Sequence, residues 1–205
     1  MRIVFPLLLT LGFISFWSFT NTPTQQKVIV IDAGHGGKDP GFHQTEASTA
    51  EKDLTLKLSA RLTDLAQNYP QLKIYNTRSS DEFVDLKTRA KIAQVIQPQL
   101  FISLHVEGGA AAKPGINLMT PSETNYQKES EAAAQLLVNK LGENKALQLQ
   151  PQIESFNSFV LKNAHCPALL LNIGNLSSAQ DLSYWQQDEN IDAFCHAILS
   201  ALSQA

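Results

Sequence analysis

An α/β architecture is the fold class this sequence predicts: a single domain with a mainly parallel, twisted sheet and helices on both faces. Three observations lead there. Apolar runs bounded by turn residues fall at about 27–32, 72–76, 100–105, 115–119 and 167–173. Amphipathic stripes of helical period lie between them. Strands that alternate with such helices pack as parallel sheet buried on both sides. The length of 205 residues suits one domain with a substantial core.

The first 26 residues stand apart. Arg2 precedes an apolar run from Ile3 to Phe19, followed by a polar stretch from Thr20 to Gln26. A positive start before an apolar run reads as an export signal. The run is close to the length of a membrane span, and no small-x-small cleavage site follows it, so both a cleaved signal peptide and an N-terminal membrane anchor through residues 3–19 are open. The expected organisation is 1–26 as leader and 27–205 as the functional domain, in the periplasm or cell envelope.

Strand 27–32 leads into a glycine-rich loop. A helix follows, marked by Leu54, Leu58, Leu62, Leu65 and Tyr69 at three- and four-residue steps. After strand 72–76, Leu86, Ala90, Ala93 and Ile96 mark a second helix, and strand 100–105 comes next. Further helices are predicted over about 128–141 and 187–203, the last with an apolar face of Ile191, Phe194, Cys195, Ile198, Leu199 and Leu202. The polar stretch 142–158 reads as loop with at most a short strand. Cys166 and Cys195 are the two cysteines, read either as a disulfide in an oxidising compartment or as buried thiols.

Composition excludes some functions. A net charge of −3 without a basic stripe gives no basis for nucleic-acid binding, and 43% apolar with 17% charged residues is that of a folded globular chain. A monomer is expected.

The chemistry concentrates in three places. His35 sits among Gly34, Gly36 and Gly37 just beyond the first strand, where glycines let the backbone bend closely around an ion or substrate. His105 ends the strand Leu100 to Leu104, and Glu51 opens the first long helix. In open α/β sheets, ligands gather beyond the carboxyl ends of the strands. Two imidazoles and a carboxylate there are a donor set for Zn2+ with an open position for water. Each has a plainer reading: His35 as a turn residue, His105 as a core histidine, and Glu51 as a helix cap in the capping-box spacing Ser48-Thr-Ala-Glu51. Glu46 is a neighbouring carboxylate. His43, His165 and His196 lack comparable settings.

Several segments together resemble the zinc-dependent N-acetylmuramoyl-L-alanine amidases of the cell-wall hydrolase type. They are Ile31-Asp-Ala-Gly-His-Gly-Gly-Lys-Asp-Pro-Gly41, Glu51-Lys-Asp53, Thr77-Arg78, Arg89 and Phe101-Ile-Ser-Leu-His105, and the similarity runs over essentially all of 27–203. The resemblance implies zinc held by His35, Glu51 and His105, and peptidoglycan or its muropeptides as substrate. It also implies cleavage of the amide between the lactyl group of muramic acid and L-alanine. That family ends its last motif strand on a glutamate that activates water. Here the segment is Pro167-Ala-Leu-Leu-Leu-Asn172-Ile-Gly-Asn175, with Asn172 at the glutamate's place and Asn175 at an aromatic's.

Asparagine can hydrogen-bond but cannot take a proton near neutral pH. Two functions are therefore open: a hydrolase of altered activity, or a zinc-binding pseudoamidase that recognises wall fragments or a protein partner. Glu107 shares a face with His105 if the strand extends that far, which makes it a candidate substitute base. Glu154 falls in the unpatterned region. Arg78 and Arg89 are candidates for binding substrate carboxylates, with structural salt bridges as the alternative.

Overall fold

The computed structural model describes residues 26–45, 48–110, 112, 115–143 and 152–204. Residues 1–25 of the leader and Glu46 lie outside the described residues. Among the described residues no helix is long and apolar enough to cross a membrane.

Six strands form one sheet: β1 (Lys27–Ala33), β2 (Leu72–Asn76), β3 (Leu100–Glu107), β4 (Asn117–Thr120), β5 (Gln152–Ser155) and β6 (Ala168–Asn175). Their order is β2-β1-β3-β6-β4-β5. β1 is parallel to β2 and β3, and β3 to β6, whereas β4 runs antiparallel to β6 and pairs in parallel with β5. The α-helices among the described residues are α1 (Glu51–Leu65), α2 (Leu86–Ile96), α3 (Gln127–Glu143), α4 (Phe159–Asn163), α5 (Ala179–Trp185) and α6 (Asp188–Gln204).

The two-residue period of a strand sorts the central side chains onto two faces. Ile29 and Ile31 of β1, Ile102 and Leu104 of β3, and Leu169 and Leu171 of β6 join Leu54, Leu58 and Leu62 of α1 and Phe194, Ile198 and Leu202 of α6 in the larger core. Val30, Phe101, Ala168 and Leu170 face the other way, onto Ala93 of α2 and Val160 and Leu161 of α4. Counting on by twos along this second face, the apolar run gives way to Asp32, to Ser103 and His105, and to Asn172. The polar residues of the site thus occupy the carboxyl ends of parallel strands, on the α2–α4 side.

Helix ends follow local chemistry. Asp85 caps α2 by accepting from the amides of Lys87 (2.9 Å) and Thr88 (3.1 Å), and the helix closes on Gln97 in the left-handed region (φ 50°). α1 begins at Ala50 with no side-chain cap, so Ser48 and Glu51 do not form a capping box.

Two elements depart from the predicted pattern. β5 is a short strand of the kind allowed for within 142–158, whereas α4 and α5, of five and seven residues, are not predicted by the sequence. Helices of one or two turns are too short to display a 3.6-residue period. They are signalled instead by their N-cap serines, Ser158 and Ser178.

The cysteines do not pair. Cys195 packs in the larger core and Cys166 in the smaller, with the sheet between them, and both are free and buried. Burial pushes each thiol up to about 12, as expected of inert core residues.

Leu58 is fully buried between α1 and the sheet. Leu58→Ala is expected to cost about 2–5 kcal/mol of unfolding free energy, measured by urea titration with an unchanged slope.

Candidate metal centre

The centre is built from three segments that the topology brings to one point. The chain leaves β1 at Ala33 and turns sharply, with His35 itself in the left-handed region (φ 61°). Such a conformation persists in a non-glycine residue when its surroundings hold it. Here the guanidinium of Arg89 donates from Nη2 to the His35 carbonyl (2.6 Å) and from Nη1 to that of Ala33 (2.6 Å). The loop then returns beneath the site. At Gly41 (φ 65°), a Cβ would lie 2.6 Å from Glu51 Oε2 and 2.7 Å from His35 Cδ2. At Gly34, it would meet His105 Cε1 at 2.6 Å. Both glycines are required for close approach.

Glu51, the first residue of α1, points into this space. Its carboxylate accepts from the backbone amides of Phe42 (3.0 Å, Oε2) and Val106 (2.9 Å, Oε1). His105 Nδ1 lies 2.9 Å from Oε1, and His35 Nε2 lies 3.2 Å from Oε2. The two rings meet edge-to-face, with centroids 5.1 Å apart and planes at 86°. His35 Nδ1 is engaged by Asp39 Oδ2 at 2.9 Å, which leaves Nε2 turned towards the centre.

Electrostatics agree with this geometry. Burial alone raises the Glu51 carboxyl, but the hydrogen bonds and charges of His105 and His35 outweigh it and hold the group well below the usual carboxylate range. For His35, burial lowers the pKa, and the carboxylates of Glu51 and Asp39 more than reverse it. Glu51 is therefore an anion fixed between two imidazoles.

One ligand atom from each of His35, Glu51 and His105 lies within 4.8 Å of the others. Donors about 2.0–2.2 Å from a tetrahedral ion sit roughly 3.3–3.5 Å apart, so small side-chain shifts accommodate a divalent cation. The pairing of His35 with Asp39 is the outer contact that typically fixes a metal-binding imidazole. The residues present fit the ion that their donor chemistry implies.

The cluster opens into a cavity of about 590 Å³. Asn172 and Glu107 line it with the metal-site residues, and Phe83, Leu86, Met119, Phe156 and Leu170 supply apolar wall. β3 does extend through Glu107, with a bulge between His105 and Glu107. Glu154 lies on β5 and takes no part in this lining. His43, His165 and His196 are exposed and outside the cluster.

A family model described as N-acetylmuramoyl-L-alanine amidase matches residues 29–204. The chain belongs to this family. Among amidase-family relatives, it is 31% identical over 188 residues to the "probable cell wall amidase LytH" of Staphylococcus epidermidis, covering 91% of this chain and 61% of that protein. It is 27% identical over 184 residues to YqiI of Bacillus subtilis, covering 88% of this chain and 85% of that one. The catalytic domain of the amidase CwlV from Bacillus (Paenibacillus) polymyxa superposes with a TM-score of 0.77 at 27% identity, over 87% of this chain and 97% of that domain. The chain thus spans under two thirds of LytH, and nearly all of an amidase catalytic domain.

Two expectations need correcting. Arg78 and Arg89 do not present their charges to a substrate: they are 2% and 3% exposed. Arg78 donates to the carbonyls of Ala33 (3.0 Å), Gly34 (3.0 Å), Ser80 (3.1 Å) and Lys52 (2.8 Å), tying the His35 loop to the first turn of α1. Arg89 borders the cavity, but its nitrogens are engaged by Asp32 Oδ1 (2.6 Å) and by the carbonyls of Val84, Ala33 and His35. Thr77 and Ser103 donate to the same Asp32 carboxylate at 2.6 and 2.7 Å. Asp39, by contrast, received no role from sequence, although its four-residue spacing from His35 in a glycine-rich turn was the available signal.

Arg89→Leu leaves the Asp32 carboxylate buried without its cation. A loss of about 3–5 kcal/mol in unfolding free energy is expected from chemical denaturation, and a loss under 1 kcal/mol would contradict the scaffold role.

Proposed function

We propose that the protein is a zinc-dependent hydrolase of peptidoglycan, exported to the cell envelope, that cleaves the amide between the lactyl group of muramic acid and L-alanine of the stem peptide. The observation that carries this reading is the convergence of His35, Glu51 and His105 at the mouth of the cavity. Family membership supports the bond, and the leader pattern of residues 1–26 supports export.

In the reaction a water oxygen adds to the amide carbonyl carbon, the C–N bond breaks, and protons pass from the water to the leaving nitrogen. The products are a lactyl carboxylate and the free amine of L-alanine. Bound zinc would polarise the carbonyl and lower the pKa of water towards about 7. His35, oriented by Asp39, and Glu51, fixed by two backbone amides, hold the ligand positions. The proton transfer is where this chain differs. Asn172 is unable to shuttle a proton, and losing a general base costs about 10²–10⁴-fold in rate. Among the carboxylates lining the cavity, Asp32 is locked by Arg89, Asp39 by His35, and Asp85 caps α2. Glu107 is the lining carboxylate that remains besides the ligand Glu51, and we assign it the residual base function.

A second reading, a pseudoamidase that binds wall fragments or a protein partner without cutting, is favoured by Asn172 itself.

The purified chain is expected to bind about one zinc, as in three-ligand sites of this kind, and His35→Ala or His105→Ala to abolish binding. Elemental analysis that finds no zinc in the wild type would contradict the assignment. Asp39→Asn is expected to weaken zinc binding about 10–100-fold in chelator competition. Asn172→Glu is expected to raise amine release from purified peptidoglycan about 10²–10⁴-fold. Wild-type turnover at ordinary enzyme rates, about 1–10³ s⁻¹, that persists in Glu107→Gln would refute the account of the base.

A further inference from the structure

Asn172 does more than lack a carboxylate. It is fully buried and stands in register between His105 of β3 and Asn117 of β4, on the face that leads into the cavity. Its amide has a determined orientation. The backbone N–H of Glu107 can only donate, and it donates to Asn172 Oδ1 at 3.1 Å. The carbonyl end is thereby fixed on Glu107 and the NH2 end faces away from it. Nδ2 is buried and has no hydrogen-bond partner among the described residues. A buried donor in this state is uncommon in folded proteins and is satisfied when an acceptor arrives.

We propose that Asn172 is a ligand-recognition residue whose Nδ2 donates to a carbonyl or carboxylate oxygen of the muropeptide held in the cleft. The inference rests on the muropeptide reading of this site and deepens it. A carboxylate at this position would also accept from the Glu107 amide, but its second oxygen would be an acceptor. Asparagine, with Oδ1 held by that amide, has an unpartnered donor in its place. The change inverts what the cleft selects beside His105, from a group with a proton to give to an oxygen with a lone pair. At the scissile bond the oxygens with this chemistry are the intact amide carbonyl of the substrate and the lactyl carboxylate of the product.

The test is calorimetric titration of the zinc-loaded full chain with N-acetylmuramoyl-L-alanyl-D-isoglutamine, which carries the amide, and separately with N-acetylmuramic acid, which carries the free carboxylate. Asn172→Asp preserves the acceptor for the Glu107 amide and exchanges the donor for a charged oxygen, and its unfolding free energy, measured beside the titration, separates a structural loss from a loss of recognition. Asn172→Leu removes the donor without adding charge, which covers a failure of the acidic variant to fold. Both variants are expected to weaken binding of the preferred probe by about tenfold or more, the scale of one lost hydrogen bond to a ligand, with zinc content unchanged. Tighter binding of the dipeptide points to the uncleaved form as the ligand, and tighter binding of the acid to the lactyl carboxylate. Either variant binding as tightly as the wild type overturns the inference while leaving the muropeptide reading intact. A wild type that binds neither probe overturns both.

Discussion

A buried anion between two imidazoles is costly unless the surrounding chain holds every partner in place, and that requirement organises this protein. Glu51 loses water at the start of α1 and is compensated by two backbone amides and two histidine rings. The partners come from two segments, the loop after β1 and the end of β3, so these must be fixed to α1 and to one another. Arg78 ties the carbonyls after β1 to the first turn of α1, and Arg89 ties the His35 backbone to the buried Asp32. The charges of both arginines serve the fold so that the charge of Glu51 can serve the site.

The sheet provides the rest. Because successive residues of a strand face opposite ways, one face of β1, β3 and β6 carries the apolar side chains of Ile29, Ile31, Ile102, Leu104, Leu169 and Leu171. The other changes from Val30, Phe101 and Ala168 to Asp32, Ser103, His105 and Asn172 as the strands end. The smaller core under α2 and α4 therefore passes directly into the cavity. Packing and chemistry share a face, and a register slip of one residue would exchange them.

How much of this was legible in sequence depended on whether the signal was periodic. β1, β3, α1, α2 and α6 announce themselves through runs of four or more apolar residues at strand or helix spacing, and β2 through the shorter pattern Leu72, Ile74 and Tyr75. The polar edge strand β5 and the short α4 and α5 lack the length to do so. Burial was the information most often missing. A guanidinium at Arg78 or Arg89 reads the same in sequence whether it greets a ligand or holds backbone carbonyls. Glu51 was ambiguous for a related reason, since capping and ligation both place an acid in the first helical turn, and only Ala50 as the N-cap separates them. Cys166 and Cys195 required knowledge of which face of the sheet each occupies. Asn172 was conspicuous as a residue, but the direction of its amide depended on the Glu107 backbone, a contact between two strands far apart in the chain.

The central claim is that His35, Glu51 and His105 jointly hold one zinc ion, and X-ray absorption at the zinc edge tests it most directly. The account predicts a first shell of nitrogen and oxygen only, at about 2.0–2.2 Å, with the outer scattering of two imidazoles, and no bound zinc in His105→Ala. A sulfur shell near about 2.3 Å, or a zinc spectrum that His105→Ala leaves unchanged, would contradict it.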